Sequence, residues 1–213
     1  EWRRDALRQA TLVANPGCFP TTSLLALGPA IADQLIQPDV IIDAKTGISG
    51  AGRSPSRRTH FVENHDSIAA YNVNGHRHTP EMAQEFAALA GDGAAPSVTF
   101  IPHLVPMNRG ILATCYVTLR PDVTGAQVRE AYANHYAGEP FVVLGDRPPE
   151  TAWVRGSNRC MISLTIDEAR HRLIVIAAID NLMKGGAGQA VQNANLMCGF
   201  AETAGIDAVG VWP

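Results

Sequence analysis

The chain has 213 residues, of which 46 % are hydrophobic and 17 % charged, as expected for a globular protein with a sizeable apolar core. Its net charge of −3 gives no reason to expect nucleic acid or an anionic membrane as a partner, and no apolar run is long enough to cross a bilayer. Four scattered cysteines without CxxC spacing suit a reducing compartment, and no secretory signal opens the sequence. We therefore expect a cytoplasmic protein.

Helical and strand-like patterns are interspersed along the chain. In the first half we predict a helix over 22–36 with a kink or break at Gly28-Pro29, a strand over 39–44, a loop rich in Gly, Ser and Arg over 45–58, a strand over 67–73, and a helix over 79–90 with Thr79 as its N-cap. In the second half we predict strands near 97–104 and 110–120, a helix over 125–136 with Thr124 as its N-cap, a short strand over 141–144, strands over 160–167 and 172–179, and a helix over 185–200.

The late strands predict the fold class. Only a short polar segment joins 160–167 to 172–179, so these two strands should form a hairpin. Strands in hairpin-like pairs favour an α+β fold with a mixed, largely antiparallel sheet over a doubly wound parallel sheet. No G-x-G-x-x-G follows a strand, so the chain shows no dinucleotide-binding fold.

One cysteine lies in a setting that favours chemistry. The segment 15–22 reads NPGCFPTT and places Cys18 in a tight turn just before an apolar run. Pro20 suits the first turn of a helix, which puts Cys18 among unpaired N–H groups at the positive end of the helix dipole. That setting lowers a thiol's pKa, and the same N–H groups could hold an oxyanion during acyl transfer. The bland alternative is a buried turn cysteine.

The other three cysteines are predicted to be core residues. Cys115 and Cys160 each fall on the apolar face of a predicted strand. Cys198 shares a helical stripe with Ala187, Val191, Ala194 and Met197. Buried cysteine is a common small hydrophobic residue.

A second polar cluster is the segment 75–81, GHRHTPE. His76 and His78 are two residues apart, so they point to the same side in an extended chain. A neutral imidazole is the usual proton carrier for a thiol nucleophile, which favours a Cys–His catalytic pair. A metal site has weaker support, since no third ligand has a fixed spacing, and the remaining alternative is two surface or turn-stabilising histidines.

Three further segments carry polar groups. The loop 45–53, KTGISGAGR, lets the backbone approach a ligand, with Ser49 supplying a hydroxyl and Arg53 a fork for carboxylate or phosphate. It is not a Walker loop, and a flexible surface loop is the alternative. Arg109 precedes a predicted strand and either binds an anion or lies at the surface. Asn181 and Lys184 join a strand to the last helix and either face a ligand or cap that helix.

These segments together resemble the N-acetyl-gamma-glutamyl-phosphate reductases, an arginine-biosynthesis family related to aspartate-semialdehyde dehydrogenases. Segment 15–21 is similar to the family's nucleophile signature and 75–81 to its H-R-H-x-P-E segment. Segments 49–53, 106–114 and 177–185 are similar to its other characteristic stretches, in the same order. The resemblance runs from about Ala14 to the end of the chain.

The resemblance implies reduction of an acyl phosphate. The Cys18 thiolate would attack the acyl carbon of N-acetyl-glutamyl 5-phosphate and expel phosphate, and NADPH would reduce the thioester to the semialdehyde. His76 is similar to the family's acid/base histidine, with His78 as its fallback. The implied contacts are, for the substrate, Ser49, Gly50, Arg53, His78 and Arg109, and for the cofactor, Asn181 and Lys184, with no metal.

The resemblance also implies how the chain is organised. The family begins with an NADP-binding domain that this sequence lacks, so NADP(H) would be bound mainly outside it. Residues 1–180 would form the catalytic domain, like that of glyceraldehyde-3-phosphate and aspartate-semialdehyde dehydrogenases. Residues 181–213 would be a C-terminal helix and tail that pack on the missing domain, in a homo-oligomer. The alternatives are a Cys–His acyltransferase or hydrolase without a nicotinamide, and a non-catalytic dimerisation module.

Overall fold

A computed structural model describes residues 1–211 of the chain. Seven helices and seven strands are numbered here in chain order. The helices are α1 (Arg4–Gln9), α2 (Cys18–Ala32), α3 (Phe61–Asn64), α4 (Thr79–Ala90), α5 (Gly125–His135), α6 (Thr151–Val154) and α7 (Gly188–Met197). The strands are β1 (Ile36–Gly47), β2 (Ala69–Ala70), β3 (Ser97–Val105), β4 (Ile111–Leu119), β5 (Val142–Gly145), β6 (Cys160–Asp167) and β7 (Arg172–Ile179).

All seven strands form one sheet in the order β2-β3-β1-β4-β7-β6-β5. Two neighbouring pairs, β1 with β3 and β5 with β6, are parallel. The other four pairs are antiparallel, including the predicted β6–β7 hairpin. The prediction of an α+β fold with a mixed, largely antiparallel sheet is confirmed.

Helix α2 lies against the sheet and forms the centre of the core. It contacts β1, β4, β6 and β7 as well as helices α4 and α5. Twelve of its fifteen residues are buried, so it is apolar on nearly all sides rather than on one stripe. Its first residue, Cys18, is thereby fixed relative to both the sheet and α4.

Pro29 lies inside α2, where we predicted a kink or break, yet the helix continues to Ala32. A proline leaves the carbonyl four residues earlier without its helical N–H donor. That carbonyl belongs to Leu25, and the Tyr136 hydroxyl donates to it from beyond α5. The side chain replaces the bond that Pro29 removes, so the helix tolerates the proline.

Several predicted boundaries are corrected by the structure. Helix α2 begins at Cys18 rather than at residue 22, and β1 runs on to Gly47, so Lys45 is a strand residue and not part of a loop. The predicted strand over 67–73 shrinks to Ala69–Ala70. Thr79 is the first residue of α4, whose N-cap is His78. The prediction of Thr124 as the N-cap of α5 is confirmed.

Helix α7 buries the opposite face from the one we predicted. A π-helical turn over Met183–Ala187 immediately precedes α7. Its buried side chains are mostly amides: Gln189, Gln192, Asn193 and Asn195, with Leu196. The predicted core stripe faces outward instead, with Val191 41 % exposed and Cys198 exposed. No helix within residues 1–211 is long and apolar enough to span a membrane.

Candidate active site

Cys18 is the first residue of α2, and backbone hydrogen bonds hold the turn that leads to it. The N–H of Gly17 donates to Oε1 of Glu81 at 2.9 Å, and the Thr22 hydroxyl donates to the Cys18 carbonyl at 2.8 Å. Glu81 stands in the first turn of α4, where a carboxylate is favoured by the helix dipole. The start of α2 is therefore tied to the start of α4.

The expectation of a lowered thiol pKa at Cys18 is wrong in this structure. Burial raises the pKa of the Cys18 thiol above its ordinary value and outweighs the opposing influences. The N–H groups of Phe19 and of Cys18 itself favour the thiolate, as the helix start predicts, and the positive charge of Arg77 acts in the same direction. The predicted setting is present, but the thiol is only partly exposed.

Two glycines leave Cys18 little room. A Cβ on Gly185 would lie 2.8 Å from the Cβ of Cys18, and a Cβ on Gly17 would lie 2.5 Å from Nε2 of His78. Contacts this short do not occur between real side-chain atoms, so both positions require glycine for close approach. The π-helical turn before α7 and the ring of His78 therefore flank the cysteine.

His76 and His78 both lie near the start of α2, where their rings pack on Phe19. Each is only 8 % exposed, and the two rings are 4.9 Å apart between centroids. Nδ1 of His76 accepts the backbone N–H of His78 at 3.1 Å, which leaves Nε2 of His76 free. Burial lowers the pKa of both rings, in the case of His78 to about 4, with the charge of Arg77 acting in the same direction.

A cavity of about 870 Å³ opens beside His76. Tyr71, Arg77 and Gly50 also line it, whereas His78 does not. Burial raises the pKa of Tyr71 to about 12, and the neighbouring Cys18 acts in the same direction. The cavity therefore joins the H-R-H segment to the Gly-rich loop, and its Tyr71 is within electrostatic range of the thiol.

Ser49 and Asn181 form a hydrogen-bond relay inside the protein. The Ser49 hydroxyl donates to the Asn108 carbonyl at 2.6 Å and accepts Nδ2 of Asn181 at 3.0 Å. Oδ1 of Asn181 accepts the N–H of Gly110 at 2.7 Å. These bonds engage both side chains within the protein, and the contacts with substrate and cofactor stay predictions.

The two arginines predicted to bind substrate are placed differently. Arg53 is exposed and lines a second cavity of about 470 Å³ beside the Gly-rich loop, not the cavity next to His76. Nε of Arg109 lies 3.3 Å from Oδ2 of Asp180, an ion pair by distance although not by hydrogen-bond angle. Fully buried Asp180 also accepts the N–H groups of Gly156 and Leu182. Arg109 is thus paired within the protein.

Lys184 is fully buried, which argues against the predicted cofactor contact. Its Nζ donates to Oε1 of Glu1 at 2.5 Å and to Oε1 of Gln192 at 2.7 Å, and it lies 5.3 Å from the centroid of the Phe141 ring. A buried ammonium is stable only when paired in this way. Lys184 therefore links the first residue of the chain to α7.

Sequence reasoning missed Tyr71 and Arg77 as cavity residues and Glu81 as the acceptor for Gly17. Tyr71 lies in a segment whose predicted strand hardly forms, and Glu81 ends the segment 75–81 without an assigned role. Arg77 had a signal, since it stands between the two singled-out histidines. Residues 1–211 contain no cluster of three or more His, Cys, Asp or Glu side chains that could hold a metal ion.

The fold places the chain in the structural class of the semialdehyde dehydrogenases. Aspartate semialdehyde dehydrogenase II from Vibrio cholerae superposes with a TM-score of 0.71 at 19 % identity, covering 92 % of this chain and 66 % of that one. The structure of a probable aspartate-semialdehyde dehydrogenase from Pseudomonas aeruginosa gives a TM-score of 0.70 at 17 % identity, with coverage of 92 % and 66 %. The chain belongs to the family described as "Semialdehyde dehydrogenase, dimerisation domain", whose profile matches residues 18–181.

The predicted resemblance to N-acetyl-gamma-glutamyl-phosphate reductases is confirmed. The protein of that name from Dehalococcoides mccartyi is 50 % identical over 213 residues, which cover 100 % of this chain and 62 % of that protein. The one from Moorella thermoacetica is 50 % identical over 216 residues, with coverage of 100 % and 62 %. The chain thus spans 62 % of the length of these curated relatives.

Proposed function

We propose that this chain is the catalytic part of an NADPH-dependent reductase that converts N-acetyl-glutamyl 5-phosphate to N-acetyl-glutamate 5-semialdehyde in arginine biosynthesis. The observation that carries the proposal is the placement of Cys18 at the first residue of α2, where the rings of His76 and His78 pack on the next residue, Phe19. The name of the relatives at 50 % identity supports the substrate. A thioester on Cys18 divides the reduction into two easier steps.

Cys18 is proposed as the nucleophile of the first step. Its sulfur bonds to the acyl carbon, and the bond from that carbon to the phosphate oxygen breaks, so phosphate leaves. The N–H groups of Cys18 and Phe19, which favour the thiolate, are the proposed donors to the developing oxyanion. The N–H of Gly17 is occupied by Glu81 and serves to hold the turn.

His76 is the proposed acid/base residue. It lines the cavity, and because its Nδ1 accepts the His78 N–H, the neutral ring carries its proton on Nε2 and can donate it. His78 packs over Gly17, and its pKa of about 4 leaves it neutral near pH 7. We therefore assign His78 a positioning role, and not the substrate contact predicted from the sequence.

NADPH supplies the hydride that reduces the thioester. Asn181 and Lys184 use their polar atoms in hydrogen bonds inside the protein, and no Gly-rich dinucleotide loop occurs in the sequence. We propose that the cofactor is bound mainly by a part of the enzyme outside this chain. We therefore propose no contact between residues 1–211 and the cofactor.

We also propose that the enzyme is a homo-oligomer. Within each chain, residues 1–180 form the catalytic domain and residues 181–213 form the C-terminal segment. The family's description as a dimerisation domain supports self-association, as does the partly exposed outer face of the sheet, where Ile41 is 43 % exposed. The outward apolar face of α7 supports packing of the C-terminal segment on another domain.

The test uses the complete enzyme that contains this chain. Acyl-phosphate-dependent oxidation of NADPH should fall to background in Cys18→Ser, while Cys115→Ser retains it. Without NADPH, the wild-type enzyme should gain the mass of an N-acetylglutamyl group on the peptide that contains Cys18. A thioester that forms and is hydrolysed with no NADPH oxidation would instead favour a nicotinamide-free hydrolase or acyltransferase. Full activity of Cys18→Ser would exclude the nucleophile assignment.

A further inference from the structure

Arg77 is a charged residue of the cavity to which the sequence assigned no role. It stands between His76 and His78, is exposed, and lines the cavity of about 870 Å³ together with Tyr71. In the part of the chain that the structure describes, no carboxylate forms an ion pair with it. Its guanidinium is therefore available to an anion in the cavity.

The charge of Arg77 reaches the groups around the nucleophile. Burial raises the pKa of Cys18, and Arg77 acts against that rise. Burial lowers the pKa of His76, and Arg77 adds to the decrease. Arg77 also acts on Tyr71, whose hydroxyl borders the same cavity. The geometry agrees, since Arg77 stands between His76 and His78. The ring of His76 lies 5.6 Å from that of Phe19 between centroids, and the ring of His78 packs on Gly17. The residues on both sides of Cys18 therefore contact the neighbours of Arg77.

Other arginines near the site are less suited to this position. Arg57 and Arg58 line the same cavity, but Arg57 lies 3.3 Å from the carboxylate of Glu63. Arg58, although it has no ion pair within residues 1–211, is not among the charges that act on Cys18. Arg109 lies 3.3 Å from buried Asp180. Arg53 lines the neighbouring cavity of about 470 Å³. Arg77 thus combines an unpaired charge, access to the cavity and an effect on Cys18.

We propose that Arg77 is the anion receptor of this site. It binds the phosphate group of an acyl phosphate next to the carbon that Cys18 attacks. This rests on the proposed acyl transfer. A guanidinium presents paired donors that match phosphate oxygens. As the sulfur–carbon bond forms, the carbon–oxygen bond breaks and its electron pair goes to the phosphate oxygen, while the thiol proton passes to solvent water. Arg77 stabilises the negative charge that the phosphate gains. It thus has the phosphate-binding role that we predicted for Arg53.

The test compares two alkylating agents of similar size on the full chain. Iodoacetate is an anion and iodoacetamide is neutral, so the ratio of their rates at Cys18, measured by peptide mass spectrometry, reports the local charge. Arg77→Gln should lower this ratio by about fivefold, the effect of one nearby cation in a partly solvated site. Arg129→Gln, which removes an exposed charge from α5, is the matched control and should leave the ratio unchanged. Arg77→Lys keeps the charge and should retain most of the ratio.

Inorganic phosphate gives a second readout. At constant ionic strength it should slow the iodoacetamide reaction at Cys18 in the wild-type chain and not in Arg77→Gln. An unchanged ratio in Arg77→Gln, or an equal fall in Arg53→Gln, would overturn the proposal. Alkylation needs neither NADPH nor substrate turnover. A lowered ratio in Arg77→Gln therefore supports the receptor even in an enzyme without reductase activity, in which case only the proposed function fails.

Discussion

Two opposing influences act on the Cys18 thiol at the start of α2. Burial disfavours the thiolate, whereas the local N–H groups and Arg77 favour it, and burial is the larger. The thiol pKa is raised, so the reactive thiolate fraction should keep increasing with pH beyond the range of a free cysteine. Substrate binding that places an anion near Arg77 or excludes further water would change this balance.

Alkylation should distinguish the four cysteines by access. Burial raises the pKa of Cys115 to about 12 and that of Cys160 further, and both thiols are fully buried. Cys198 is exposed, contrary to our prediction, and will compete for reagent. In Cys198→Ser, iodoacetamide should modify Cys18 first, with a rate that rises through pH 9, as read by peptide mass spectrometry. Earlier modification of Cys115 or Cys160 in the folded chain contradicts the assignment of Cys18.

Substitution of the two histidines should have different effects on turnover. In the complete enzyme, His76→Asn should lower kcat by about 10²–10⁴-fold, the usual contribution of general acid–base catalysis, and should flatten one limb of the pH profile. His78→Asn should lower kcat less, because His78 packs over Gly17 and does not line the cavity. Steady-state kinetics across pH 5–9 measures both. The roles are reversed if His78→Asn is the more damaging and His76→Asn keeps the pH profile.

His78 should also make the fold sensitive to acid. Its pKa is about 4 in the folded protein against an ordinary value of 6.5, so the unfolded chain binds the proton more readily. The contribution of His78 to the free energy of unfolding is therefore present above about pH 6.5, and about 3 kcal/mol of it is lost as the pH falls to 4. Urea unfolding at pH 7 and pH 4.5 should show a smaller difference in His78→Asn than in the wild-type chain. The exposed His60→Asn is the control; an equal reduction there contradicts the assignment.

At the level of elements, α2 depends on hydroxyl groups that come from α5 and the residue after it. The Tyr136 hydroxyl donates to the Leu25 carbonyl, which Pro29 deprives of an N–H. The Tyr132 hydroxyl donates at 2.6 Å to the Ala26 carbonyl, which has the Ala30 N–H available in the same helix. The first bond is therefore the harder to replace.

A double-mutant cycle tests this difference. Tyr136→Phe should lower the free energy of unfolding by about 1–3 kcal/mol, because it leaves a buried carbonyl unpaired, and Tyr132→Phe should cost less. In a Pro29→Ala background, the new N–H can bond to Leu25, so the cost of Tyr136→Phe should shrink. Thermal and urea unfolding measure three changes in the free energy of unfolding: that of Tyr136→Phe, that of Tyr132→Phe, and that of Tyr136→Phe in the Pro29→Ala background. Equal costs with proline or alanine at residue 29 would falsify the compensation.

Element prediction succeeded where the pattern was local and failed where a distant contact decided it. The Thr124 cap and the β6–β7 hairpin depend on neighbouring residues, and both are confirmed. Which face of α7 is buried depends on Lys184. Its buried ammonium donates to Gln192, which is therefore buried, whereas Val191 is exposed. Periodicity alone assigned the apolar stripe to the core, since it contains no information about a buried ammonium elsewhere.

For the whole molecule, the fold class followed from strand pairing, whereas the assignment of Cys18 as the nucleophile stays a prediction from its helix start. The assembly of the site did not follow, because it depends on contacts between distant residues. The bond from Gly17 to Glu81 spans 64 positions, and that from Lys184 to Glu1 spans 183. Residue types also gave no warning that Ser49 and Asn181 bond to each other rather than to a ligand.

Cofactor binding by the chain alone should be weak. Asn181 and Lys184 are engaged inside the protein, and no Gly-rich dinucleotide loop occurs in the sequence. Isothermal titration of the chain with NADPH should show no saturable binding in the micromolar range, and the chain alone should not oxidise NADPH with substrate. Micromolar binding would reveal a site that these residues do not suggest.

The close packing at Gly17 and Gly185 bears on mutational tolerance. Neither residue has a functional group, yet a single added methyl would meet His78 at one position and Cys18 at the other. In a saturation-mutagenesis screen for growth without arginine, both positions should therefore reject even alanine, with a profile like that of the nucleophile. Intolerance at these glycines would reflect the shape of the space around a sulfur atom, so a genetic map of this enzyme would mark as essential two residues that perform no chemistry.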